Sequence, residues 1–281
     1  MGLFRKKIGF SPIPYGFDSI ELLERSNNAW NSSRLLNDEA NKRLPILFCL
    51  DVSASMAVRR GSGSYAPIEL LNAAVGQFLN QLRDTPEAEV AFLTFGKTVV
   101  DFVEFQSLRE VDSVKFRAII DPRRNGTKLA SAVEQSVQML EQRKAKLTRS
   151  MLEHYAPFLI VVTDGDEGDT PEDTKRAQAL LEEHCRSHTG QESLIVPFVI
   201  GVGEEIPLKT LKGYARGFPR GCIPFKNLDK IQDFKSVFKW IGDSIQHSVD
   251  LNASSDNFIK ELDNLIEESL GEEWDKADIG G

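Results

Sequence analysis

RLPILFCLDVSASM, residues 43–56, is an apolar run that stops at one acid and two hydroxyls. Leu44–Leu50 shows no alternation of polar and apolar residues, so both faces of any strand it forms must be buried. Central strands of parallel sheets read this way. Asp51, Ser53 and Ser55 then fall just past the strand's carboxyl end, where open α/β sheets bind their ligands.

Outward from this strand, short apolar runs alternate with longer stretches of helical spacing. The spacing predicts helices over Pro67–Leu82, Lys128–Lys144, Thr170–Cys185, Leu208–Tyr214 and Ile231–Gln246. Strands are expected at Glu89–Phe95, Thr98–Phe105, Pro157–Val162, Ser193–Val202 and Cys222–Phe225. Gly96-Lys97 between two of them reads as a two-residue hairpin turn, which implies one antiparallel edge strand. The expected fold class is therefore α/β: a Rossmann-like, doubly wound, mainly parallel central sheet with that one antiparallel edge strand and helices on both faces. The expected organisation is an N-terminal arm over 1–43, one domain over 44–248 and an acidic tail over 249–281. Short helices are plausible at Asp18–Arg25 and Phe258–Leu270.

Two further segments share the strand-end side with Asp51. Asn125-Gly126-Thr127 precedes the Lys128 helix, and Thr163-Asp164-Gly165 directly follows the strand ending at Val162. A small hard dication takes oxygen ligands and keeps some of its water. Asp51 and Asp164 would supply −2 against its +2, and Ser53, Ser55 and Thr127 would add neutral oxygens. An ion held this way stays electrophilic and would attract a carboxylate from another molecule.

DVSAS at 51–55, Thr127 and Asp164 resemble the metal-ion-dependent adhesion site of von Willebrand factor A domains, whose pattern is D-x-S-x-S, a distant Thr and a distant Asp. The resemblance implies that family's fold, with Mg2+ or Mn2+ as cofactor. It implies that Ser53, Ser55 and Thr127 coordinate directly, with Asp51 and Asp164 bound directly or through water. The implied partner is a protein presenting Asp or Glu. Within the family, the RLPILFCLDVSASM opening is similar to cytosolic bacterial TerY-like proteins. Those are associated with tellurite-resistance and stress operons that also encode kinase and phosphatase partners. Ala54 stands where the family often has glycine, which is harmless where the backbone φ is negative. The loop Ala57–Ala66 is longer than the usual turn and places Arg59 and Arg60 near the metal face, for an acidic partner surface or as a solvated Gly/Ser loop.

Other functions fit less well. A haloacid-dehalogenase-type phosphatase needs a second acid at position 53, which is Ser, and no P-loop GxxxxGK[ST] occurs. None of the four histidines lies in the three segments, so a nucleophilic serine would lack its base. No enzyme is expected, and the alternatives are a metal-independent scaffold or a magnesium-dependent phosphate-handling enzyme. The acidic loop Asp164–Asp173 lacks EF-hand spacing, and its Asp166, Glu167 and Asp169 are expected to face solvent. His184 and His188, beside Cys185, have the spacing of a zinc pair but read as a solvated helix end. Cys49 and Trp240 read as core.

The net charge of −8 sits entirely beyond residue 249, where ten acids face Lys260 and Lys276. A charge-balanced body with an acidic tail is a poor binder of nucleic acid. No apolar stretch approaches the roughly 18 residues of a membrane span. Three cysteines without a CxxC pair suggest neither disulfide framework nor structural zinc. With no signal peptide in MGLFRKKIGF, the expected location is cytoplasmic.

Overall fold

The computed structural model describes residues 42–59, 65–111, 118, 120, 126–164, 168–185, 194–203, 208–216, 222–225 and 231–250. The expected arm, the Phe258–Leu270 helix, and Arg60, Asn125, Gly165, Asp166, Glu167 and His188 lie outside these residues.

β1 (Lys42–Asp51) is the strand read first from the sequence, and every residue after Lys42 is buried. It is central because it pairs in parallel with β2 (Ala88–Phe95) on one side and with β5 (Phe158–Thr163) on the other. β3 (Val99–Ser107) runs antiparallel to β2 at the edge. The two-residue strand β4 (Glu153–His154) pairs with the start of β1. Beyond β5 come β6 (Val196–Val202) and β7 (Cys222–Phe225), both parallel, which gives the order β3-β2-β1-β5-β6-β7. The mainly parallel sheet with one antiparallel strand is as expected. The hairpin differs in detail. Phe95 pairs with Val99 and the Gly96 N–H donates to the Thr98 carbonyl, so three residues turn the chain, and a bulge absorbs the extra one.

Alternate residues of β1 feed two separate cores, which requires helices on both faces. Ile46, Phe48 and Leu50 join a core with α1 (Pro67–Gln81) and α5 (Ile231–Asp250). Leu47 and Cys49 join a second with α2 (Leu129–Arg149), α3 (Pro171–Cys185) and α4 (Leu208–Tyr214). Aromatic rings tie the first core together. Phe48 meets Phe78 edge-on at 5.2 Å and stacks with Phe92 at 5.4 Å, while Trp240 stands edge-on to Phe198 at 5.8 Å. α2 runs one turn past the expected end because Leu147 still faces the core.

Cys49 and Cys185 are buried free thiols, and burial pushes both up to about 12. A thiol that ionises only in the unfolded chain favours unfolding as pH rises above about 8.5, by about 1.4 kcal/mol per unit for each cysteine. Neither thiol should react with Ellman's reagent at pH 8 until denaturant is added. Reaction of either in the native protein would contradict their placement.

Candidate functional site

The carboxyl ends of β1, β2 and β5 are joined by main-chain bonds. The Val52 N–H donates to the Phe95 carbonyl at 2.8 Å, and the Lys128 N–H donates to the Gly96 carbonyl at 2.7 Å. The Gly168 N–H donates to the Thr127 carbonyl at 2.7 Å. Side chains close the circle, with the Thr163 hydroxyl donating to Asp51 Oδ2 at 2.7 Å. All five sequence-predicted residues are thereby brought to one end of the sheet.

Within it, Asp51, Ser53 and Thr127 are fully buried and Asp164 nearly so. Asp51 Oδ1 accepts from the Ser53 N–H at 2.8 Å, which fixes the turn after β1. The Ser53 and Ser55 hydroxyls lie 2.9 Å apart. The latter falls in a single 3-10 turn, Ala54–Ala57. Met151 is the one non-glycine residue with positive φ among the described residues, so Ala54 suits its position. Gly126 has φ 109°, which a side chain would strain, and this turn delivers Thr127. A Cβ on Gly168 would lie 3.2 Å from the Thr127 carbonyl oxygen, so a side chain there would push the two loops apart by a few tenths of an ångström.

Two carboxylates share this buried space. Burial, and then the Asp164 charge, push the Asp51 carboxyl up to about 7, against the bonds it accepts from Ser53 and Thr163. A cation between them would reverse both effects. No group of three or more His, Cys, Asp or Glu side chains suited to a metal occurs among the described residues. The donor set here is instead two carboxylates and three hydroxyls, all oxygen, which fits a hard dication. Such an ion would act as a Lewis acid toward an incoming carboxylate.

Asp169 departs from expectation. Instead of facing solvent, its side chain is 1% exposed, lies 3.6 Å from Lys128 Nζ and accepts from the Ala130 N–H at 2.7 Å. The first turn of α2 has no side-chain cap of its own, since Lys128 holds the cap position. Asp169 satisfies one of its orphan donors from outside. That lysine was the available sequence signal. Glu69 was also missed. One of its oxygens accepts from Arg59 and the other from the Ala66 N–H at 2.9 Å, so a single carboxylate holds both ends of the loop after the 3-10 turn. These bonds, the Ala66 one foremost, hold its pKa below the usual range. The Arg59 charge is therefore already partnered. His184 donates from Nδ1 to the Leu180 carbonyl of its own helix at 2.9 Å.

The von Willebrand factor type A domain profile matches residues 46–235. The chain belongs to this family. It is similar to a von Willebrand factor type A protein from Catenulispora acidiphila at 17% identity, covering 70% of this chain and 42% of that one, with a TM-score of 0.47. The pilus adhesin SpaC from Lactobacillus rhamnosus GG is similar at 13% identity over 73% of this chain and 30% of its own, with a TM-score of 0.52. The PilB minor pilin from Streptococcus sanguinis is similar at 11% identity over 73% of this chain and 62% of its own, with a TM-score of 0.51. This chain thus spans less than two thirds of each of these proteins. No curated protein matches its sequence significantly. No described helix is long and apolar enough to cross a membrane.

Proposed function

We propose that this von Willebrand factor type A domain binds a protein partner through a divalent ion, Mg2+ or Mn2+, held by Asp51, Ser53, Ser55, Thr127 and Asp164. A partner Asp or Glu completes the coordination, and no chemical step follows. The observation that carries this reading is the convergence of two buried carboxylates whose charges act on each other, beside the paired Ser53 and Ser55 hydroxyls. Nothing in the packing of the sheet requires hydroxyls at both 53 and 55. The partners expected from the TerY-like resemblance are a kinase and a phosphatase of a bacterial stress operon, met in the cytoplasm.

Capture of partners from native lysate in magnesium, in EDTA and with Asp51→Ala tests this. Partners retained only by the wild type in magnesium support the adhesion-site mechanism. The same partners in all three conditions would establish the metal-independent scaffold instead. Thr127→Ala should weaken partner binding by about tenfold, the scale of one lost charge-assisted contact, while magnesium still binds. Equal partner affinity in titration calorimetry would remove Thr127 from the coordinating set.

A further inference from the structure

The pole opposite the candidate site gathers a second set of charged groups. There the carboxyl end of α2 carries Lys144, paired with Glu141 at 2.8 Å, then the half-buried Lys146 and the exposed Arg149. Arg43 and Arg143 share the one Glu89 carboxylate just beneath. Burial, then the Arg143 charge, lower the Lys146 pKa to about 8, with Glu104 and Glu89 opposing and Arg149 adding to the repulsion. Glu153, exposed on β4, is a further acid of this pole.

An apolar side chain stands beside these cations. α2 ends in a Schellman motif, with the Leu152 N–H donating to the Leu147 carbonyl at 3.0 Å and the Met151 N–H to the Thr148 carbonyl at 3.0 Å. Met151 occupies the left-handed position with φ 57°, where glycine is the usual residue, and it is 95% exposed. A long apolar side chain held in a strained conformation and bathed in water has no packing role in the fold.

The chain leaves the described residues at this same pole. α5 runs antiparallel to the strands. Its Gln246 accepts from Thr85 in the connection to β2, and its Val249 packs on the core that also receives Tyr155, the residue after β4. Lys42 lies over the Tyr155 ring at 3.9 Å. The residues beyond Asp250 carry nine acids against Lys260 and Lys276, with Phe258, Leu262, Leu265 and Ile266 at helical spacing. Phe258 is eight residues past Asp250, a reach of up to about 28 Å. The candidate site lies about 30 Å from Asp250, the length of α5, whereas this pole is where the chain exits.

We propose that the acidic segment 251–281 docks on this pole of its own chain, its carboxylates against Lys146 and Arg149 and its apolar stripe on Met151. Charge, apolar match and point of exit agree on this seat. The metal face stays open to a partner, and the proposal does not depend on that face binding metal.

Hydrogen exchange on the full chain tests it, with Arg149→Glu and Met151→Gly as variants. Glycine suits the left-handed position, so Met151→Gly removes the contact without endangering the fold. Amides of 256–270 should exchange at least about tenfold more slowly in the wild type than in the free peptide of that sequence. The protection should fall in either variant and at high salt, and should not depend on protein concentration. Exchange of 256–270 at the free-peptide rate in the wild type would overturn the proposal. So would protection unchanged by both substitutions. Protection that appears only at high concentration would assign the contact to a second copy and overturn docking within one chain.

Discussion

Asp51→Asn should abolish the response of the melting temperature to magnesium. A ligand present at a hundred times its dissociation constant stabilises the folded state by about 2.7 kcal/mol. For a domain of this size that is roughly 5–10 °C. The wild type should show such a shift, and Asp51→Asn should show none, because the hydroxyls of Ser53, Ser55 and Thr127 with one remaining carboxylate hold a dication poorly. Asparagine keeps the shape of the buried side chain and removes one of two mutually repelling charges, Asp51 being raised by burial and by Asp164. The loss is therefore one of response rather than of folding. Equal shifts in wild type and variant, read by differential scanning fluorimetry, would exclude Asp51 as a ligand.

Glu89→Gln is the substitution expected to damage the fold most. Glu89 lies on β2 between the buried Ala88 and Val90, and its carboxylate accepts from Arg143 Nε at 2.7 Å and from Arg143 Nη2. Arg43 Nε lies 3.4 Å from the same group. All three residues are at most 5% exposed. Removing the acid leaves two guanidinium charges in a poorly hydrated site, and losses of about 3–5 kcal/mol follow when one partner of a buried ion pair is deleted. Urea unfolding measures it. A loss under about 1 kcal/mol would mean that water reaches these arginines. Replacing Arg143 with Met in the same chain should recover part of the loss, since it takes away one of the stranded charges.

The elements best legible in the sequence were those whose environment is set locally. β1 is apolar at every position because it is covered on both faces, and that pattern needs no knowledge of what covers it. The same holds for the start of α3, where the Thr170 hydroxyl receives the Asp173 N–H at 3.2 Å and donates to the Asp173 carboxylate at 2.8 Å. The five candidate site residues stood out because polar punctuation at a strand end has few structural purposes.

What escaped the sequence depends on distant partners. The Asp169 side chain is covered because Gly168 touches Thr127, about 40 residues earlier. The acid of Glu89 interrupts an otherwise apolar strand and makes sense only once Arg43 and Arg143 are placed on it. The three-residue turn after β2 follows from a bulge that the Gly96-Lys97 pair does not announce.

The pairing of β1 with β5 has a consequence in time as well as in space. Asp51 and Thr163 are 112 residues apart along the chain, and their hydrogen bond exists only once those two strands lie side by side. Pairings between such distant segments form slowly relative to local ones. During synthesis, the first half of the chain emerges with Asp51, Ser53 and Ser55 in place but without the second carboxylate. Ribosome-bound chains stalled before Asp164 has left the exit tunnel should therefore ignore magnesium, and chains released beyond α5 should respond to it. On the proposed function, a nascent protein would be unable to engage a partner prematurely, because the proposed docking point is completed only when most of the domain has been made.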